Sequence, residues 1–161
     1  MQKRRFLQAT AALALASSLG AAHAQNTPLK FQLDWRFEGP SAFFLLPVAK
    51  GYFKAAGLDV SVDAGNGSGG AVQRVASGSY DIGFADMASL MEFHANNADA
   101  PYQPVAVMVV YNNTPAAVMA LKKSGIQTPA DLSGKKLGAP VFDAGRKAFP
   151  TFAKVNKVSN V

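Results

Sequence analysis

The sequence predicts an α/β protein, and three observations carry that prediction. After Gln25, short runs with strand-type alternation are interleaved with runs of helical spacing. Glycine and proline clusters punctuate the junctions between those runs. Residues 105–111 (VAVMVVY) form a near-continuous apolar stretch, as a strand buried on both faces requires. Strands that alternate with helices in this way argue for mainly parallel sheets.

The elements follow in order. Residues 29–35 (LKFQLDW) alternate apolar and polar and read as a strand; Gly39, Pro40 and Ser41 break it. Residues 42–56 read as a helix disturbed by Pro47 and Gly51, with Gly57 as its stop, and residues 58–62 alternate as a second strand. A glycine-rich loop at 64–70 leads to a short helix at 71–76, with Val72 and Val75 on one face. Gly78 and Ser79 turn the chain into a third strand at 80–85 (YDIGFA). Asp86 is placed to cap a helix running to Asn96. Met87, Leu90, Met91 and His94 share helical spacing there, which makes His94 a partly buried structural residue. Beyond the apolar run, residues 112–115 (NNTP) mark a change. Strands are expected at 116–121 and 137–141, a helical turn at 128–132 and a last helix from Ala144.

Composition excludes several classes. The 161 residues contain no cysteine, which removes a disulfide framework, a thiol nucleophile and a thiolate metal site. Three of the sixteen basic residues and none of the ten acidic ones precede Gln25, so residues 25–161 carry thirteen basic against ten acidic side chains, or +3. That charge is mild and scattered, whereas nucleic-acid binding wants a basic stripe. One histidine follows Gln25, and no serine sits in a nucleophile-elbow context, so no catalytic set assembles. No metal site and no cofactor are expected.

The first 24 residues read as an export leader. Lys3, Arg4 and Arg5 make a positive start, residues 6–19 an apolar run, and Ala22, His23 and Ala24 an A-x-A cleavage signal before Gln25. The run is too short and too weakly apolar for a comfortable membrane span. Residues 3–7 (KRRFL) fit both a twin-arginine signal and a general secretory one, and both routes stay open.

A family resemblance rests on an ordered series of segments: Leu33, Asp34 and Trp35; residues 49–53 (AKGYF); residues 57–60 (GLDV); residues 78–86 (GSYDIGFAD); and residues 131–138 (DLSGKKLG). In this order and spacing the chain, from Leu33 to Ala153, resembles type II periplasmic binding proteins of ABC transporters. The similarity is greatest to the branch that takes thiamine pyrimidine precursors, sulfonates, taurine and nitrate. The resemblance implies two α/β lobes joined by a hinge: leader 1–24, first lobe 25–113 and second lobe from 114. The first lobe is nearly complete on this reading. The second is only begun at Val161, as expected of a truncated gene or a partial reading frame. It further implies a monomeric periplasmic receptor that closes over a small solute and delivers it to a permease at the inner membrane. The enzymatic branch of the family is marked by a cysteine-rich motif, and this chain has no cysteine. Two other readings stay open here, a solute-sensing module for a signalling receptor and a non-binding remnant.

Ligands of open α/β sheets bind beyond the carboxyl ends of strands, near helix N-termini. That rule selects Asp34, Trp35, Phe37 and Glu38 after the first strand. The aromatics offer stacking on a flat ring and the carboxylates accept from ring amines. In the glycine loop, Asn66, Gly67, Ser68 and Gly69 offer backbone amides and a hydroxyl to a polar or anionic group. Asp86 is both a helix cap and a cleft residue. Asp143 is its counterpart in the second lobe, and Asn113, beside Tyr111, borders the hinge. Carboxylates at this rim disfavour a simple oxyanion, so an aminopyrimidine-like solute is expected over sulfonate, taurine or nitrate.

Overall fold

Residues 27–32 alternate just enough to lay one face on a core, and they form the centre of the sheet. A computed structural model describes residues 25–161; the expected export leader lies outside the described residues. Strand β1 (Thr27–Gln32) is flanked in parallel by β2 (Leu58–Asp63) and β3 (Ile82–Gly83), in the order β2-β1-β3. The register sets Thr27 opposite Leu58, Gln32 opposite Asp63 and Phe31 opposite Ile82. Parallel neighbours need crossovers. Helices α1 (Ala42–Ala49) and α2 (Tyr52–Ala55) join β1 to β2, and α3 (Ser68–Ala76) joins β2 to β3. Helices α4 (Met87–Asn96) and α5 (Ala144–Val155) follow, with 3-10 turns at Gly39–Ser41, Lys122–Ser124 and Pro129–Leu132. This is a mixed α/β architecture built on a three-stranded parallel sheet.

Local chemistry explains most of the boundaries. The first strand ends at Gln32 and not at Trp35, because the Asp34 and Trp35 carbonyls turn to accept the amides of Gly67 and Gly65. The expected 42–56 helix is two helices, since Gly51 adopts φ +72° and resets the backbone between them. Helix α3 begins at Ser68, three residues earlier than expected, with Gly69 and Gly70 inside its first turn. Asp86 caps α4 as expected, its Oδ1 accepting the Ala88 amide at 2.8 Å. Thr128 and Asp131 form a capping box, and amide donation from Gln127 and Thr128 holds the Asp131 carboxyl below its ordinary value.

Leu33, Phe44, Val60, Ala71, Val72 and Ala76 form the core between the sheet and its helices. At its end sits Gln32, which is fully buried. Its Nε2 donates to the carbonyls of Leu33 (2.8 Å) and Ala64 (2.9 Å), and its Oε1 accepts from Arg74 at 3.0 Å. One amide thus ties the end of β1 to the loop after β2 and to α3, which fixes the loops where the site is built.

Three expected strands do not form. Residues 105–111, 116–121 and 137–141 have no ladder, and Val105, Val107 and Met119 are 73, 84 and 90 % exposed. A strand is stable only with a paired neighbour; among the described residues β3 pairs with β1 alone and nothing is hydrogen-bonded along its outer edge. His94 is also exposed, not partly buried, and its Nε2 lies 2.8 Å from the Pro104 carbonyl at the start of the first of these runs.

Candidate functional site

The carboxyl ends of β1 and β3 and the N-termini of α3, α4 and α5 open on one cavity of about 1560 Å³. This exceeds the roughly 300–1,000 Å³ usual for small-molecule sites. Residues 105–111, which do not pair with β3, form one wall of the cavity. No group of three or more His, Cys, Asp or Glu among the described residues is arranged to hold a metal.

Three carboxylates converge through backbone geometry. Asp34, half-buried beyond β1, accepts from the Ser68 hydroxyl at 3.1 Å, and that same hydroxyl accepts the Asp86 amide at 3.0 Å. Ser68 is therefore a buried bridge whose hydrogen-bonding is already used. Asp143 caps α5, its Oδ1 accepting the Arg146 amide at 2.8 Å. Burial is the largest influence on the Asp34 carboxyl and pushes it above its ordinary value. The Ser68 hydroxyl and Asp34's own amide pull it back, and the charges of Asp86 and Asp143 push it up again.

Aromatic rings also line the cavity. Phe44 stacks between Phe31 and Phe84, with ring centroids 5.2 and 5.0 Å away, and Phe84 meets the edge of Tyr111 at 5.9 Å. Trp35, half-buried, and Phe43 add to the lining.

The structure brings together Asp34, Trp35, Glu38, Gly67, Ser68, Asp86, Asn113 and Asp143, and leaves Phe37, Asn66 and Gly69 off the cavity lining. Phe37 is 52 % exposed. The glycine loop is covered by protein: a Cβ on Gly67 would lie 2.3 Å from the Phe142 carbonyl oxygen, and one on Gly69 3.3 Å from Lys147 Nζ. Sequence reasoning passed over Phe44, Phe84 and Asp81, which also line the cavity. Phe84 lies at the carboxyl end of the 80–85 strand, where the strand-end rule that selected Asp34 applies equally. Asp81 precedes β3, outside that rule, and its Oδ2 accepts the Lys30 amide at 2.8 Å. Phe44 carried no local signal.

The Gly67 contact yields a prediction. Gly67→Ala meets both a φ of +135° and the Phe142 backbone, and is expected to cost about 1–3 kcal/mol. Amide exchange should also accelerate at residues 142–146. Gly51→Ala, strained in φ but with open space around it, should lower stability without changing exchange there. Equal exchange at 142–146 in both variants would contradict the contact.

The NMT1/THI5-like family model matches residues 40–160, a span that holds most of the cavity wall. No curated protein and no solved structure matches the chain. Among the described residues no helix is long and apolar enough to cross a membrane. With the family model spanning three quarters of the sequence, the chain belongs to the NMT1/THI5-like family of periplasmic solute-binding proteins.

Proposed function

We propose that the protein is the substrate-binding component of an ABC importer, taking a small organic solute in the cavity between residues 25–113 and the segment from 114 onward. An aminopyrimidine-like thiamine precursor is favoured over sulfonate, taurine or nitrate. One observation carries this reading: Asp34, Asp86 and Asp143, from three separate parts of the chain, face a single cavity walled by Trp35, Phe44 and Phe84. The rings suit a flat heterocycle, and carboxylates accept from its exocyclic and ring N–H groups. Closure of the two parts over the solute would create the form that docks on the permease.

Thermal unfolding with each solute tests the reading. At a concentration of 100 times Kd, a bound solute stabilises by about 2.7 kcal/mol, or roughly 5–10 °C in a chain of this size. The expected result is a shift with the aminopyrimidine that Trp35→Ala abolishes. A shift with taurine or nitrate alone would overturn the solute preference, and no shift with any of them would overturn the receptor function.

A further inference from the structure

We infer that the cleft selects its solute by positive charge, and that its ligand is a flat organic cation of the amidinium type. The inference rests on the solute-receptor reading and narrows it.

The charge inventory of the cavity is one-sided. Asp34, Glu38, Asp81, Asp86 and Asp143 line it, and among the described residues no lysine, arginine or histidine does. Lys147, one turn into α5, is committed to an ion pair with Glu92. Asp34, Asp86 and Asp143 are half-buried and Glu38 and Asp81 exposed; like charges gathered in one cleft repel one another, and an incoming cation relieves that cost.

The positions that would hold an anion are already filled. The N-terminus of α3 meets the Phe142 backbone and the Asp34–Ser68 pair, while α4 and α5 are capped by Asp86 and Asp143. An anionic solute entering here would displace protein groups and face five like charges. A cation meets oxygens that are still available: Asp86 Oδ2 and Asp143 Oδ2 carry no hydrogen bond among the described residues, and Asp34 Oδ1 accepts from no other described residue. Two such oxygens match the paired, coplanar N–H groups of an amidinium, a pattern that a protonated aminopyrimidine shares. Trp35, Phe44, Phe84 and Tyr111 supply ring faces, which add cation–π attraction to stacking.

A linked proton follows from the same geometry. Because burial holds Asp34 above its ordinary value, lowering the pH neutralises it while it would otherwise still be charged, and a cation loses one of its partners. Affinity for a ligand of fixed charge should therefore fall as pH drops through that raised value.

An isosteric series separates charge from shape: benzamidine as cation, benzamide as neutral amide and benzoate as anion, each titrated calorimetrically into the full chain. Benzamidine should bind at least ~10-fold tighter than benzamide, with no binding of benzoate, a contrast of about 1.4 kcal/mol or more. Asp34→Asn should weaken benzamidine ~10-fold, weaken benzamide less and reduce the pH dependence. Asp86→Asn, which keeps an oxygen for its helix cap, should weaken benzamidine in the same direction. Benzamide or benzoate binding as tightly as benzamidine overturns charge selection and leaves the receptor reading standing. Silence from all three compounds also overturns it; the receptor reading falls only if the aminopyrimidine, taurine and nitrate are silent too.

Discussion

Replacing Phe44 by alanine is expected to cost about 3–5 kcal/mol and to lower the midpoint of thermal unfolding by roughly 10 °C. Phe44 is buried to 9 % exposure at the meeting of α1 with the sheet, and its ring touches those of Phe31, Phe43 and Phe84. Truncation removes the ring at the centre of this cluster, and the backbone of a helix tied to two strands cannot collapse to fill the space. Phe43, its neighbour, is 61 % exposed, and Phe43→Ala should cost about 1 kcal/mol or less. The pair of variants makes the argument falsifiable in one melting experiment. Similar losses for the two would mean that Phe44 is not the keystone of the aromatic wall.

The second large effect is polar. Gln32→Leu preserves approximate volume but removes the donor to the Leu33 and Ala64 carbonyls and the acceptor for Arg74. Each buried group left without a partner costs about 1–3 kcal/mol, so a total of about 3 kcal/mol is expected. The loop at 64–67 should loosen with it, because Gln32 is its tie to β1. Denaturant unfolding reads the stability, and solute affinity reads the loop. Gln32→Glu should recover acceptance from Arg74 but not donation to the two carbonyls, and so sit nearer to leucine than to wild type. A leucine variant as stable as the native chain would show that water or local rearrangement satisfies these groups.

Much of the fold was legible because it is built by local rules. Asp86 and Asp143 each precede a helix by one residue, and a short acceptor at that position captures a free amide two or three residues on. The alternation of residues 58–62, the stop at Gly57 and the turn at Gly78 act within a few residues of themselves, and the structure places an element boundary at each. The misreadings have the opposite character. Residues 105–111 have the composition of a buried strand, yet composition supplies only half of a strand. The other half is a partner edge, and the sequence of the run cannot say whether one lies beside it. Gln32 reads as an ordinary polar position in an alternating strand; its burial depends on Ala64 and Arg74, more than thirty residues away.

The candidate site divides in the same way. Strand ends and helix starts pointed to Asp34, Trp35, Asp86 and Asp143, since topology places such positions together in any open parallel sheet. They did not reveal that Ser68 spends its hydroxyl on Asp34 and Asp86, or that the Phe142 turn covers the glycine loop. The sequence by itself therefore determined the α/β class, the helix caps and breaks, and the strand-end positions from which a cleft is built, because these follow from interactions within one turn or one strand. Only the tertiary structure decided that five carboxylates share one cavity without a basic side chain among the described residues, that Phe44 is its structural centre, and that residues 105–111 stand unpaired. Those facts depend on which distant segments meet, and that is settled by packing and long-range hydrogen bonding, which no local pattern encodes.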